Sequence, residues 1–372
     1  MDAVTLPLVV ANDRPCVDLI TADAGGSPRT LRALVDTGGG ALLLRRSLAD
    51  GLGLGLGFSV ESDGGEATSV EPPALAGDGF GLDTDGIAAY AIDDDAQTGT
   101  ESERIDVVLP ASLLRRHGVV IDYPRGELRL SAPDDLPGTG VAVPVDVERE
   151  SGFARAEVEV AGEVLGLLLD TGTSCCLVAD HVFRSWEASN PVWPRSAASV
   201  GPANMSGLSF EASTPMLRVP EVSWGAFTVP GVAVAWRPDS AYGRLVPGVT
   251  APVVGSLGGN LLRHFRVELA VASGLVRLEQ GRPFAEPDAD MVGMVVGIDA
   301  DGHHHVIGTI TGLDDVRVGD RLLAVDGEPV AGLTLGQVID ALRGTPAETV
   351  HHLALDRDGE LVEAEGPVLR VL

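Results

Sequence analysis

The sequence predicts a mainly β protein: two similar β-rich lobes that share one site between them, followed by a small α+β domain. Three observations carry that expectation. The tripeptide Asp-Thr-Gly occurs twice, as Asp36-Thr37-Gly38 and Asp170-Thr171-Gly172, each at the end of an aliphatic run. The surroundings of the two tripeptides repeat in the same order. After Leu278 the pattern changes to short strands, turns and a single helix.

Before each tripeptide lies a strand, a turn and a second strand. In the first copy Val17 to Ile20 passes Ala24-Gly25-Gly26-Ser27 into the run that ends at Val35. In the second, Ala156 to Val160 turns at Ala161-Gly162-Glu163 into Val164 to Leu169. Apolar and polar residues alternating into a glycine-containing turn read as a β-hairpin. A short aliphatic run follows each motif (Ala41 to Leu44, Cys175 to Val178), then a short helix, over about Arg46–Leu52 and Ala179–Trp186.

Further on, the block Leu109 to Ile121 aligns with Leu257 to Leu269, and each leads through Gly126 or Gly274 into a terminal strand. The motifs lie 134 residues apart, Asp36 to Asp170, and these blocks 148 apart, Leu109 to Leu257. That is one duplicated unit of roughly 130 to 150 residues, a normal domain size. The boundaries read as 1–135 for the first lobe and 136–280 for the second, a linker at 281–289 containing Pro283 and Pro287, and a last domain at 290–372.

Over about residues 5 to 280 this order of parts resembles the retropepsin/pepsin superfamily of aspartic proteases. The resemblance implies duplicated acid-protease-like β-rich lobes with the active site between them. Asp36 and Asp170 would be the catalytic pair and Thr37, Gly38, Thr171, Gly172 and Thr173 their supporting loops. The second lobe is supplied in cis, so dimerisation is not required for the site.

The residue types suit that chemistry. Two carboxyl groups a few ångströms apart cannot both ionise cheaply, so they share one proton. The ionised member then takes a proton from water while the protonated member polarises the scissile carbonyl. Glycine lets the two loops approach closely, and a threonine hydroxyl can tie one loop to the opposite backbone. Thr173 follows the second motif where Gly39 follows the first. A hydroxyl bond from Thr173 to the Asp170 carboxylate would make Asp170 the base and Asp36 the acid. Two features depart from the family pattern: Pro110 stands opposite Gly258, and no flap can be fixed within Val60–Ile92 or Val200–Met216.

In the last domain Arg317-Val318-Gly319-Asp320 enters the aliphatic run Arg321 to Val325, which Asp326-Gly327 turns out again. Thr334 then caps a helix with Leu335, Val338, Ile339 and Leu342 at helical spacing. Val306 to Arg357 resembles a PDZ domain of the bacterial protease-associated type. Such domains add an extended peptide to a sheet edge, and the resemblance implies that Gly293, Met294, Val295 and Val296 form the peptide-binding loop and strand. The chain's own end, Leu369 to Leu372, closes on an apolar residue that would suit such a groove.

Composition excludes several classes. With 26 basic residues, all arginine, against 54 acidic ones, the net charge of -28 argues against nucleic acid or anionic membrane as partner. Three cysteines without a paired framework and no basic leader point to a bacterial cytoplasmic protein. His303-His304-His305 alternate faces in an extended segment, so the three cannot ligate one ion; no metal and no cofactor is expected. Expected partners are protein or peptide substrates. The expected function is an aspartic endopeptidase with PDZ-mediated recruitment; the alternative is a catalytically inactive peptide-binding adaptor on the same scaffold.

Overall fold

The computed structural model describes residues 3–62, 65–77, 79–93, 105–201, 214–245, 252–284, 290–299, 301–310 and 313–372. Lobe one opens with β1 (Val4–Pro7), β2 (Val9–Ala11), β3 (Arg14–Ala22) and β4 (Pro28–Asp36). β5 (Leu42–Arg45) and α1 (Arg46–Gly51) follow the first Asp-Thr-Gly. Two hairpins come next, β6 (Leu56–Ser62) with β7 (Gly65–Val70) and β8 (Leu75–Gly77) with β9 (Phe80–Leu82). β10 (Ala89–Ile92), β11 (Val107–Pro110), α2 (Ala111–Leu114), β12 (Gly118–Asp122) and β13 (Glu127–Ser131) complete the lobe.

Lobe two repeats this with β14 (Val141–Val147), β15 (Ala154–Val160), β16 (Glu163–Leu169), β17 (Cys176–Ala179) and α3 (Asp180–Ser189). β18 (Arg195–Ser196), β19 (Met216–Trp224), β20 (Phe227–Arg237) and α4 (Asp239–Leu245) follow. β21 (Gly255–Leu257), α5 (Gly259–Leu262), β22 (Phe265–Ala270) and β23 (Leu275–Gln280) close it. The last domain holds β24 (Asp290–Val292), β25 (Met294–Ile298), β26 (His304–Thr309), β27 (Arg321–Val325) and β28 (Glu328–Pro329). α6 (Leu335–Ala341), β29 (Val350–Arg357) and β30 (Glu360–Arg370) end the chain.

The internal repeat in sequence is a repeat in topology. β11 runs parallel to β4 and antiparallel to β5, while β21 runs parallel to β16 and antiparallel to β17. β5 is parallel to β10, as β17 is to β20. In each lobe the strand carrying the Asp-Thr-Gly is thus flanked by a strand from the far end of the same lobe. That pairing pins the loop from both sides.

Local chemistry dictates the turns. Ala161 and Gly162 both take positive φ, 53° and 80°, the two-residue turn whose twist matches flanking strands. Asp326-Gly327 and Asp358-Gly359 do the same in the last domain. The Thr334 hydroxyl accepts the Gln337 N–H (3.1 Å) and the Gln337 side chain accepts the Thr334 N–H (2.8 Å), a capping box that starts α6.

The lobes join through a six-stranded antiparallel stretch in the order β1-β13-β12-β22-β23-β14. Its centre is the β12–β22 pair, Val119↔Leu269 through Asp122↔Arg266. One apolar core runs through both lobes beneath this sheet, including Leu19, Leu31, Ile121, Leu169, Trp224, Phe265 and Val267. Asp122 is buried, with Arg125 supplying both a backbone N–H (3.0 Å) and a guanidinium (3.2 Å). Glu268 is fully buried opposite Arg277, with Arg266 at 3.4 Å, Arg277 at 3.7 Å and the Gly138 N–H at 3.1 Å. A buried carboxylate is tolerated only with such partners.

A second buried cluster continues from lobe two (Cys175, Leu177, Met216, Ala235, Tyr242) into the last domain (Met294, Val296, Val338, Leu355, Leu372). The final strand β30 pairs with β24, Asp290↔Arg370 through Val292↔Val368, so the chain's end is built into a sheet and does not lie along β25. Among the described residues no helix is long and apolar enough to cross a membrane, and the three cysteines are free and buried.

Replacing Glu268 with Gln leaves two guanidinium groups without their counter-charge in the inter-lobe sheet. We expect the unfolding free energy to fall by about 2–3 kcal/mol, read as a lower midpoint in urea; an unchanged midpoint would show the ion pairs to be energetically idle.

Candidate active site

Asp36 is the last residue of β4 and Asp170 follows β16 directly, so the two loops meet between the lobes. Their contact is reciprocal. The Thr37 hydroxyl donates to the Leu169 carbonyl (2.7 Å) and accepts the Thr171 N–H (3.0 Å). The Thr171 hydroxyl donates to the Val35 carbonyl (2.6 Å) and accepts the Thr37 N–H (3.1 Å). Both threonines are buried, and each hydroxyl satisfies a donor and an acceptor of the opposite lobe at once.

The glycines set the spacing. A Cβ on Gly38 would lie 2.4 Å from the Asp170 carboxyl carbon, and one on Gly172 would lie 2.4 Å from that of Asp36. Each loop therefore presses its glycine against the other loop's carboxylate, an approach any side chain forbids.

The loops also orient their own carboxylates. The Gly38 N–H donates to Asp36 Oδ1 at 2.8 Å and the Gly172 N–H to Asp170 Oδ1 at 3.0 Å. Burial pushes Asp36 above the usual carboxylate range, opposed by the Gly38 and Gly39 N–H groups, by Arg14 and by a hydrogen bond from the Asp170 carboxyl. Burial and then the charge of Asp36 push Asp170 up to about 8. Both carboxyls are thus raised by burial in contact with each other, and the two titrate as one pair that does not readily give up its last proton.

The hydroxyl contact expected of Thr173 is not made. Its hydroxyl donates to the Asp170 backbone carbonyl (3.2 Å) and not to the carboxylate. The turn after Gly172 carries the side chain back over its own peptide, which a sequence comparison with Gly39 does not reveal.

Behind each loop the duplicated strand ends act alike. The Ala111 N–H donates to the Gly39 carbonyl (3.0 Å) and the Gly259 N–H to the Thr173 carbonyl (2.8 Å). Pro110 fits here because the N–H it lacks has no backbone partner in the other lobe either: Gly258 donates to Cys176 Sγ (3.3 Å). Gly258 itself is required, since a Cβ there would meet the Cys175 carbonyl at 2.3 Å. Asn260, four residues before His264, locks the second loop by accepting the Cys176 N–H (2.9 Å) and donating to Ala233 (2.9 Å).

Sequence reading missed Arg14 and Arg237, whose charges favour ionisation of Asp36 and Asp170 respectively. Arg14 opens β3, the hairpin partner of β4, which ends in Asp36, and Arg237 ends β20, far along the chain from Asp170. Of the flap candidates, Val60–Ile92 contains most of β6–β7 and all of β8–β9, and β8 is held to β3 by Ile20↔Ala76. Of Val200–Met216, residues 202–213 lie outside the described residues. Gly293 precedes β25, and Met294, Val295 and Val296 form its first half, all buried. β25 is the edge strand beside α6, paired only with β26 among the described residues.

Residues 313–357 match the family model described as PDZ domain, so the last part of the chain contains one. No curated protein sequence matches the chain. Among solved structures, an aspartic proteinase from Irpex lacteus is similar at 13% identity and a TM-score of 0.45, covering 77% of this chain and 99% of that chain.

Two measurements check the site. Thr37→Val removes both cross-lobe bonds of one hydroxyl and is expected to cost about 2–4 kcal/mol, whereas Thr37→Ser retains them and stays near wild type. The second concerns pH. A carboxyl whose folded pKa lies above its unfolded value loses stability as pH rises from about 4 to about 8. Asp170→Asn is therefore expected to be more stable than wild type by about 1–3 kcal/mol at pH 7.5, with that advantage gone near pH 4. Equal differences at the two pH values would contradict a raised Asp170.

Proposed function

We propose that the chain is an aspartic endopeptidase that recruits protein or peptide substrates through its PDZ domain. The observation that carries this reading is the pair of buried carboxyls on mutually interlocked loops. Water held between Asp36 and Asp170 loses a proton to ionised Asp36 as its oxygen attacks the scissile carbonyl. Protonated Asp170 donates to the carbonyl oxygen, giving a neutral tetrahedral diol. Asp36, now protonated, passes its proton to the leaving nitrogen while Asp170 recovers one from the diol, and the C–N bond breaks. No covalent intermediate and no metal participates. Each glycine pressed on the opposite carboxylate keeps both acids at one water molecule's reach, a gain of the positioning kind.

The test is cleavage of a mixed peptide library between pH 3 and 9. Wild type is expected to cleave, with activity falling as pH rises through about 8, where Asp170 loses its proton. Asp36→Asn and Asp170→Asn should each lower the rate by about 10²–10⁴-fold, and a statine-type transition-state mimic should block it. Folded protein that cleaves nothing at any pH would leave the peptide-binding adaptor as the function.

A further inference from the structure

We propose that Asp299, His303 and His305 form a binding site for a divalent transition-metal ion, with zinc the best fit, on the β25–β26 hairpin of the PDZ domain. Asp299 stands just past β25, His303 just before β26, and His305 within β26. The hairpin register pairs Ile298 with His304 and Gly297 with His305. Residues two apart on a strand share a face, so His303 and His305 project to the same side while His304 is buried on the other. The alternation that rules out a three-histidine site thus leaves two imidazoles together, and the third donor comes from across the turn.

The carboxylate is held for that role. Asp299 Oδ1 accepts the Asp301 N–H (3.0 Å) and the His303 N–H (2.8 Å), which closes the turn and leaves Oδ2 facing the rings. Oδ2 lies 2.8 Å from His305 Nε2 and 3.5 Å from His303 Nδ1. One ligand atom from each of the three residues lies within 4.8 Å of the others. Around a tetrahedral ion with bonds near 2.0–2.1 Å, ligand atoms are about 3.3 Å apart. The two measured separations bracket that value, so small side-chain rotations seat the ion. Two imidazoles and one carboxylate suit zinc, nickel or copper; calcium and magnesium require more oxygen ligands than the turn offers. The two imidazoles are 39% and 31% exposed, which leaves the outer coordination positions to water. The bound ion would clamp the end of β25, the edge strand of the domain, to β26.

The experiment is isothermal titration of the chelator-treated full chain with zinc chloride at pH 7.5. One equivalent is expected to bind with a dissociation constant of about 10 µM or tighter, raising Tm. His303→Ala and His305→Ala should each weaken binding by about 10-fold or more. Asp299→Asn retains the turn-closing acceptor but loses the anionic ligand, so it should weaken binding without lowering the Tm of the metal-free protein. His351→Ala/His352→Ala, on another part of the domain, should bind as wild type. As a readout on unaltered protein, cobalt(II) should give the intense visible bands of a four- or five-coordinate site. Binding unchanged in the His303→Ala/His305→Ala double variant, or cobalt spectra of the hexaaqua ion alone, would overturn the proposal.

Discussion

The interlock of Thr37 and Thr171 is the constraint on which the two-lobed body depends. Two hydroxyls, each donating to one opposite-lobe carbonyl and accepting one opposite-lobe amide, satisfy four backbone groups that the loops bury. Unpaired, each of those groups would cost about 1–3 kcal/mol. Valine, with the same shape, has no donor or acceptor to offer, and serine keeps the bonds. The symmetry matters as much as the count, because a duplicated loop contributes the same hydroxyl twice and the two bonds sets close on each other.

Everything close to the dyad follows from that clasp. With the loops held, Gly38 and Gly172 are driven against the opposite carboxylates, and the two carboxyls are buried side by side, which raises both above the usual carboxylate range. The cost of holding an acid protonated up to about pH 8 falls on folding stability. Burial is therefore opposed to stability at Asp170 and Asp36, where the site holds each carboxyl against its solvation preference.

The last domain is attached by a different logic. Its apolar interior is continuous with the face of lobe two that carries Cys175, Leu177 and Tyr242, and its final strand is paired with β24. Met294, Val295 and Val296 on the edge strand are buried in this arrangement. The PDZ domain thus shares hydrophobic surface with the two-lobed body, and Asp299, His303 and His305 lie half-buried at the turn of β25–β26.

Much of this was legible in the chain. The duplicated Asp-Thr-Gly, its hairpins, the Leu109 and Leu257 blocks and the Thr334 cap are local patterns, and local patterns report backbone conformation directly: alternation sets strands, Ala161-Gly162 and Asp326-Gly327 set turns, a capping box sets a helix start. Duplication added a second reading of each element, which is why the two lobes and their shared site followed without a structure. What tertiary structure alone decided were matters of direction and neighbourhood. Thr173 points at a carbonyl and not at the carboxylate, Arg237 brings charge from a strand far along the chain, Asp122 is buried by its own turn, Pro110 costs no ladder bond, and Asp299 turns back to meet two histidines. None of these is a property of a residue or of its spacing. Each depends on where a side chain's last bond points once non-local strands have paired, and hydrogen bonds and electrostatic fields act through space across contacts that the one-dimensional chain does not order.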